Sequence, residues 1–284
     1  MFVKILVIAQ EPQIVSSLSH YFESRGRAYL VCSVAEISEE SNLDAFLRNH
    51  SISLVLNAAS VSLLKKSTDN EWVAGVQELA EICHRNRVVL MQLSSSLVFD
   101  GLDGGRHREI DEALPASRIG AVHWQMEQAV RAHCERHVVV RTMPLFSGHP
   151  DNLLSTLIAQ FKAGNELAVS TGGKSAPVSC DDLARVLSGV VDQLSCGANA
   201  WGTYHYCASD PANHFQFAEA VLMVASQFID TSGASLTAIE SPYTEWPQPL
   251  LNCNKIRTTF GIKQLPWRSS IGDAVKQALG VTAD

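Results

Sequence analysis

The residues to weigh first are those of the turn after the opening apolar run, Val3–Ala9, which leads straight into a helical pattern over Gln13–Arg25. A strand running into a helix at the start of an α/β chain is where a nucleotide's pyrophosphate is held. Glycines there let the ligand approach, and backbone N–H groups bind it. This turn has no glycine: Ala9, Pro12 and Val15 stand where a G-x-x-G-x-x-G spacing would fall. Pro12 lacks an N–H, Val15 is branched, and Glu11 adds a negative charge. A carboxylate about 4 Å from a phosphate would repel it by on the order of 4 kcal/mol at an effective dielectric of ~20. The plainer view is that Pro12 is a good first-turn residue and Glu11 complements the helix dipole. On either view, ordinary pyrophosphate binding is disfavoured.

Other reactive residue types are scattered. Ser94, Ser95 and Ser96 end an apolar run, where a hydroxyl could hold a carbonyl or simply hydrogen-bond the backbone of a loop entry. Cys83-His84 and Cys134-x-x-His137 lack a second pair at zinc spacing, which argues against a metal. Gly172-Gly173-Lys174 has neither the upstream glycine nor the following helix of a phosphate loop, and reads as a turn. Arg141 and Lys174 are candidates to touch a diphosphate, although no spacing fixes this.

These residues need a frame, and the apolar patterning supplies one. Strand-like runs at Val3–Ala9, Ala28–Ser33, Ile52–Asn57, Val88–Leu93 and His137–Arg141 alternate with helical stretches at Gln13–Arg25, Asn42–Asn49, Asp69–Arg85 and Arg118–Cys134. Such alternation predicts a doubly wound parallel sheet with helices on both faces. Beyond Arg141 the pattern loosens into helices over Asn152–Ala163, from Ser179 to about Leu194, from Asn213 to about Phe228, Asn254–Phe260 and Ser270–Leu279. Strands there are Glu166–Ser170 and Thr203–Cys207, and Pro242, Pro247 and Pro249 mark a turn. The expected architecture is α/β: a Rossmann-like domain over 1–145 and a smaller C-terminal α/β lobe over 146–284, with segments free to interleave. Ligands of such folds sit in the cleft at the carboxyl ends of the strands.

Composition narrows the classes. The chain has 284 residues, is 46% hydrophobic and carries a net charge of −7, with no Lys/Arg run, which excludes a basic nucleic-acid-binding surface. The apolar start is too short for a membrane span. Seven dispersed cysteines read as reduced thiols, so a cytoplasmic setting is expected.

Taken in order, several stretches resemble the dTDP-4-dehydrorhamnose reductase family, a branch of the extended short-chain dehydrogenase/reductases. They are Leu54-Val-Leu-Asn-Ala-Ala59, Leu93-Ser-Ser-Ser-Leu-Val-Phe-Asp-Gly101, Glu109-Ile-Asp-Glu112 with Pro115, and Val140-Arg-Thr142. In the second half Pro177 to Ala184, Gly202 to Tyr206, Phe217-Ala-Glu219, Leu251-Asn-Cys-Asn-Lys255, Phe260-Gly261 and Trp267 continue the likeness. The resemblance implies an NAD- or NADP-binding domain beside a nucleotide-sugar-binding lobe. It would place Ala9, Pro12, Asn57, Ala58 and Ala59 along the cofactor cleft.

The same resemblance exposes departures. The family's Tyr-x-x-x-Lys gives the proton and holds the nicotinamide ribose, and alignment puts Ile119 at the tyrosine and His123 at the lysine. No tyrosine lies between Tyr29 and Tyr204, so a small shift of register restores none. Losing a positioned general acid costs ~10²–10⁴-fold. Helical spacing sets Ile119, His123, Met126 and Val130 on one face, which reads as packing. Ser95 matches the family's carbonyl-binding hydroxyl, and His123 is the replacement acid to consider. The expectation is a relative that has lost reductase activity and acts as a nucleotide- or nucleotide-sugar-binding or regulatory protein, as the beta subunit of methionine adenosyltransferase does within the family. The alternative is an active NAD(P)H-dependent reductase with a remodelled site. Helices Asp69–Arg85 and Arg118–Cys134 correspond to those that relatives use to pair subunits, so a homodimer or partner protein is expected.

Overall fold

The computed structural model describes residues 4–39, 42–59, 68–101, 105–240 and 249–281. Its first half runs β1 (Lys4–Ile8), α1 (Pro12–Ser24), β2 (Ala28–Cys32), α2 (Val34–Glu39), α3 (Leu43–Asn49), β3 (Ile52–Asn57), α4 (Asp69–Arg85), β4 (Val89–Ser95), β5 (Arg106–His107), α5 (Arg118–His133) and β6 (His137–Thr142). The remainder runs β7 (Leu145–Phe146), α6 (Leu153–Lys162), β8 (Glu166–Ser170), β9 (Val178–Ser179), α7 (Cys180–Ser195), β10 (Gly202–Tyr206), α8 (His214–Ala225), β11 (Ser235–Ile239), β12 (Leu250–Leu251), α9 (Asn254–Phe260) and α10 (Arg268–Leu279).

Six strands form one parallel sheet in the order β10-β6-β4-β3-β1-β2. Side chains of a strand alternate between faces, so Ile5 and Val7 join one buried cluster while Leu6 and Ile8 join the other. Both faces are therefore covered, as a parallel sheet requires. The chain leaves β1 toward β2 on one side and returns to β3 on the other. The carboxyl ends of β1 and β3 thus form a topological switch point, where such sheets open a crevice.

The sixth strand comes from the second half of the chain. β10 pairs with β6 along its whole length, from Gly202 opposite Val138 to Tyr206 opposite Thr142. α7 also crosses over to pack on α1, where Arg25 and Arg27 of the α1–β2 turn both pair with Asp192. The segments before and after 145 therefore interleave. Three small parallel pairs complete the fold, β8–β11 and β7–β9 within the second half and β5–β12 between the two halves.

Helix starts follow capping chemistry. Thr68 accepts from the Glu71 N–H while the Glu71 carboxylate accepts from the Thr68 N–H at 2.6 Å, closing a capping box on α4. Asn152 and Asn213 close capping boxes on α6 and α8 as well, while Ser117 and Ser179 cap α5 and α7 by accepting from the Gly120 and Asp182 N–H groups. α1, α9 and α10 have no side-chain cap: Glu11, Cys253 and Trp267 stand at their N-caps, and in α1 Pro12 occupies the first turn. Pro242 and Pro247 lie outside the described residues, and Pro249 directly precedes β12.

Candidate functional site

A cleft of about 590 Å³ opens above the carboxyl ends of β1, β3, β4 and β6, within the range of small-molecule sites. Its walls come from Gln10 to Ile14, from Ala58 and Ala59, from Leu93 to Ser95 with Leu97, from His123, and from Thr142 to Leu145 with His149 to Leu153. Pro12, Ala58, Ala59, Ser95 and His123 are therefore brought together as the sequence suggested. The turn that looked closed leaves the space open: Val15 is not among the lining residues and packs, partly buried, against the core.

Three of the sequence-predicted positions lie elsewhere. Ala9 is buried in the sheet, and its N–H donates to the Cys32 carbonyl at 3.1 Å. Asn57 is buried between strands, donating from Nδ2 to Gln92 Oε1 at 2.9 Å. Ile119 is 39% exposed in the first turn of α5 and forms no part of the cleft, so it does not share the site with His123. The packing stripe on α5 is accordingly Met126 and Val130, at 1% and 0% exposure. Arg141 is also withdrawn from the cleft: it is 1% exposed and bound to Glu127, while Lys174 is exposed on the Gly172-Gly173 turn.

The opening turn does not fit a pyrophosphate. Ala9 has committed its N–H to the sheet and Pro12 has none. The N–H groups of Ile14 and Val15 both point back to the Glu11 carbonyl at 3.2 Å. Glu11 lines the cleft with its carboxylate oxygens buried. Its charge, after burial and Asp181, helps push the nearby Cys180 thiol up to about 12. A nicotinamide dinucleotide would meet few donors there.

The opposite wall is polar but not acidic toward a substrate. Ser95 Oγ accepts from the Leu97 N–H at 3.2 Å, so this hydroxyl serves the turn after β4. Burial drives the His123 pKa down to about 4 against the opposing pull of Glu127. The imidazole is therefore neutral at pH 7 and offers a hydrogen bond, with no acidic proton to give. Tyrosine, lysine, arginine and cysteine are all missing from the described residues that line the cleft.

Two lining residues escaped sequence reasoning. Thr142 Oγ1 and His149 Nε2 are buried without a hydrogen-bond partner, as is His123 Nδ1. Thr142 ends β6 opposite Ser95 of β4. A polar residue closing a strand was the available signal, and it is weak for a single threonine. Gln13 is held from below, accepting from Ser147 Oγ at 2.9 Å.

Behind this wall lies a buried ion network. Glu127, at 0% exposure, accepts from Arg141 Nε at 2.8 Å and Nη2 at 2.7 Å, from Arg131 Nη2 at 2.8 Å and from Ser94 Oγ at 2.6 Å. Arg141 Nη1 lies 3.3 Å from His205 Nε2, whose Nδ1 faces the His107 carbonyl at 3.1 Å. Since a guanidinium only donates, Nε2 accepts and Nδ1 carries the hydrogen. Beyond the network, near the amino ends of β6 and β10, a shallower hollow of about 630 Å³ includes Trp124, Arg131 and Lys255. Its cations are engaged: Arg131 with Glu127 and Thr203, and Lys255 with the Thr203 carbonyl at 2.7 Å.

Comparison with known proteins agrees with this geometry. The family model described as the RmlD substrate binding domain matches residues 3–279. A dTDP-4-dehydrorhamnose reductase of Sinorhizobium fredii is 24% identical, over 83% of this chain and 83% of its own. One from Aggregatibacter actinomycetemcomitans is 22% identical over 94% and 97%. Among solved structures, the dTDP-4-dehydrorhamnose reductase of Clostridium acetobutylicum superposes with a TM-score of 0.80 at 22% identity, covering 96% of this chain and 99% of that one. The Bacillus anthracis enzyme, solved in complex with NADP, gives 0.82 at 17% identity, covering 96% and 98%. At such identities the structures establish a shared Rossmann-like fold.

Proposed function

The chain belongs to the RmlD substrate binding domain family, and from that premise we propose that it is a reductase-like protein that binds a small molecule in the switch-point cleft without NAD(P)H-dependent reduction. The opening turn carries this reading. With Ala9, Pro12 and Val15 in place of glycines, and with the Ile14 and Val15 N–H groups turned back on the Glu11 carbonyl, the pyrophosphate of a hydride carrier finds no cradle. His123, neutral at physiological pH, supports the same view from the opposite wall.

The names of the relatives make sugar nucleotides the first compounds to try. A homodimer or a partner protein would dock on α4 and α5, which pack side by side through Asp69 and Arg118, their Nε–Oδ2 contact being 2.8 Å. No described helix is long and apolar enough to cross a membrane.

Titration of the protein into NADPH and NADH, followed by nicotinamide fluorescence, tests the reading. It predicts no saturable change at millimolar cofactor and no turnover of dTDP-4-dehydrorhamnose. The opposite reading, a working reductase with a remodelled site, draws on the open cleft and on the Bacillus anthracis relative solved with NADP. Saturable binding with turnover would establish it.

A further inference from the structure

We infer that Cys207 and Cys253 form a redox clasp: hydrogen peroxide converts the pair into a disulfide that ties the end of the central sheet to the C-terminal segment. The inference goes beyond the cleft and holds whichever ligand that cleft takes. The two sulfurs lie 3.6 Å apart, although 46 positions separate them in the chain. Cys207 directly follows β10, and Cys253 is the N-cap of α9. A disulfide places its sulfurs about 2.05 Å apart, so closure asks for roughly 1.5 Å of sulfur movement, within reach of side-chain rotation. Weaker bonds already fasten the joint. Gln264 Nε2 donates to the Cys207 carbonyl at 2.8 Å and to the Ala208 carbonyl at 3.1 Å, and the Ser209 N–H donates to the Leu265 carbonyl at 3.0 Å.

The surroundings tell the two thiols apart. The Cys207 S–H donates to the Leu251 carbonyl at 3.6 Å, and the Cys207 sulfur accepts from Gln264 Nε2 at 3.5 Å. With its own hydrogen given to Leu251, that sulfur accepts from the Cys253 S–H. This bond, helped by the Arg106 charge, lowers the Cys207 pKa against the effect of burial. The same bond, and then burial, pushes the Cys253 thiol up. Cys207 is thus the attacking thiol and Cys253 the resolving one. Cys207 is 0% exposed and Cys253 4%, so the oxidant is a small one. It enters when the two-residue β12, whose Leu251 carbonyl meets Cys207, opens locally. The Cys207 thiolate attacks one peroxide oxygen, the O–O bond breaks, and the departing hydroxide takes the Cys207 proton to become water. The Cys253 sulfur then attacks the sulfenic sulfur of Cys207. The S–O bond breaks, and the hydroxyl leaves as a second water with the Cys253 proton. Two electrons pass from the thiols to the peroxide, and one S–S bond forms.

Titration of the reduced full chain with hydrogen peroxide under native conditions, followed by peptide mapping, tests this. The expected product is a linked peptide joining Cys207 to Cys253, lighter than its two parts by two hydrogens and opened again by dithiothreitol. The buried thiols Cys83 and Cys180 should stay unmodified at the same dose. In Cys253→Ser the linked peptide should vanish and Cys207 should carry one added oxygen instead. Closing so long a loop should also raise the midpoint of thermal unfolding by about 5 °C or more. Cys196→Ser, which removes the exposed thiol, is the background for that measurement. Cys207 and Cys253 still reduced at a dose that fully oxidises Cys196 would overturn the inference. So would a linked peptide formed without any rise in the midpoint.

Discussion

Glu127→Gln is expected to destabilise the protein far beyond what its isosteric shape suggests. Each carboxylate oxygen of Glu127 accepts two hydrogen bonds, Oε1 from Arg141 Nε and Ser94 Oγ, and Oε2 from Arg141 Nη2 and Arg131 Nη2. An amide replaces one acceptor with a donor. Whichever way it turns, its NH₂ group faces a guanidinium, which has nothing to accept with. Arg141, at 1% exposure, would also lose its counter-charge. Breaking a buried ion pair from one side costs about 3–5 kcal/mol. With ~2–4 °C lost per kcal/mol in a large domain, the midpoint of thermal unfolding should fall by roughly 10 °C. Urea unfolding of the wild type, Glu127→Gln, Arg141→Gln and the double variant measures the loss and the coupling. A single-variant loss under ~1 kcal/mol, or a double variant that loses the full sum of both, would refute the claim that these groups balance each other.

Stability should also fall with acid well above the carboxylate range. Burial, then the facing Arg141 charge, holds the His205 pKa down to about 3, and burial holds His123 to about 4. An unfolded histidine takes its proton near pH 6.5, so below that the unfolded chain binds more protons and stability drops as pH falls toward 4. The slope approaches about 1.4 kcal/mol per pH unit for each group. Urea midpoints at pH 7, 6 and 5 should reveal it, and a His205→Gln variant with an unchanged slope would rule His205 out as a cause. Gly120→Ala should destabilise although alanine is the better helix former by about 1 kcal/mol. A Cβ at Gly120 would lie 2.0 Å from the Leu97 carbonyl oxygen, so α5 must move away from the turn after β4, at a net loss of about 1–3 kcal/mol by chemical denaturation.

The frame was largely legible because its signals are local. Ile52–Asn57, Glu166–Ser170, Asp69–Arg85 and Asn254–Phe260 form where periodicity and caps place them. What escaped depends on distant partners. β5, β7, β9 and β12 are two residues long and exist only by pairing across the fold, β5 with β12 and β7 with β9. The strand around Thr203–Cys207 could be read, but not its seat beside β6 in the main sheet. α2 is too short for a periodic signal, and β11 is mostly exposed. The site divided along the same line. Pro12, Ala58, Ala59, Ser95 and His123 sit at strand ends or on a helix face that patterning exposes. Arg141 looked available for a ligand because nothing local announces Glu127 as its partner. Asn57 likewise turned out to face Gln92 on the next strand.

The cleft and the ion network form one construction. His123 and Glu127 are four residues apart on α5, so they share a helix face. Thr142 follows Arg141 on β6, and Ser94 contributes both to the cleft wall and to the carboxylate's hydrogen bonds. The unpaired Thr142 hydroxyl and His123 nitrogen are thus mounted on the backbone that the network clamps. Side chains locked from behind can keep a polar cleft open with its hydrogen-bonding atoms unsatisfied, since closing over them would break stronger bonds in the interior. It follows that the two sets of variants separate by cause. Loosening the clamp at Glu127 should lower stability and ligand affinity together. Neutralising Asp151, exposed at the mouth of the cleft, should leave the melting temperature nearly unchanged.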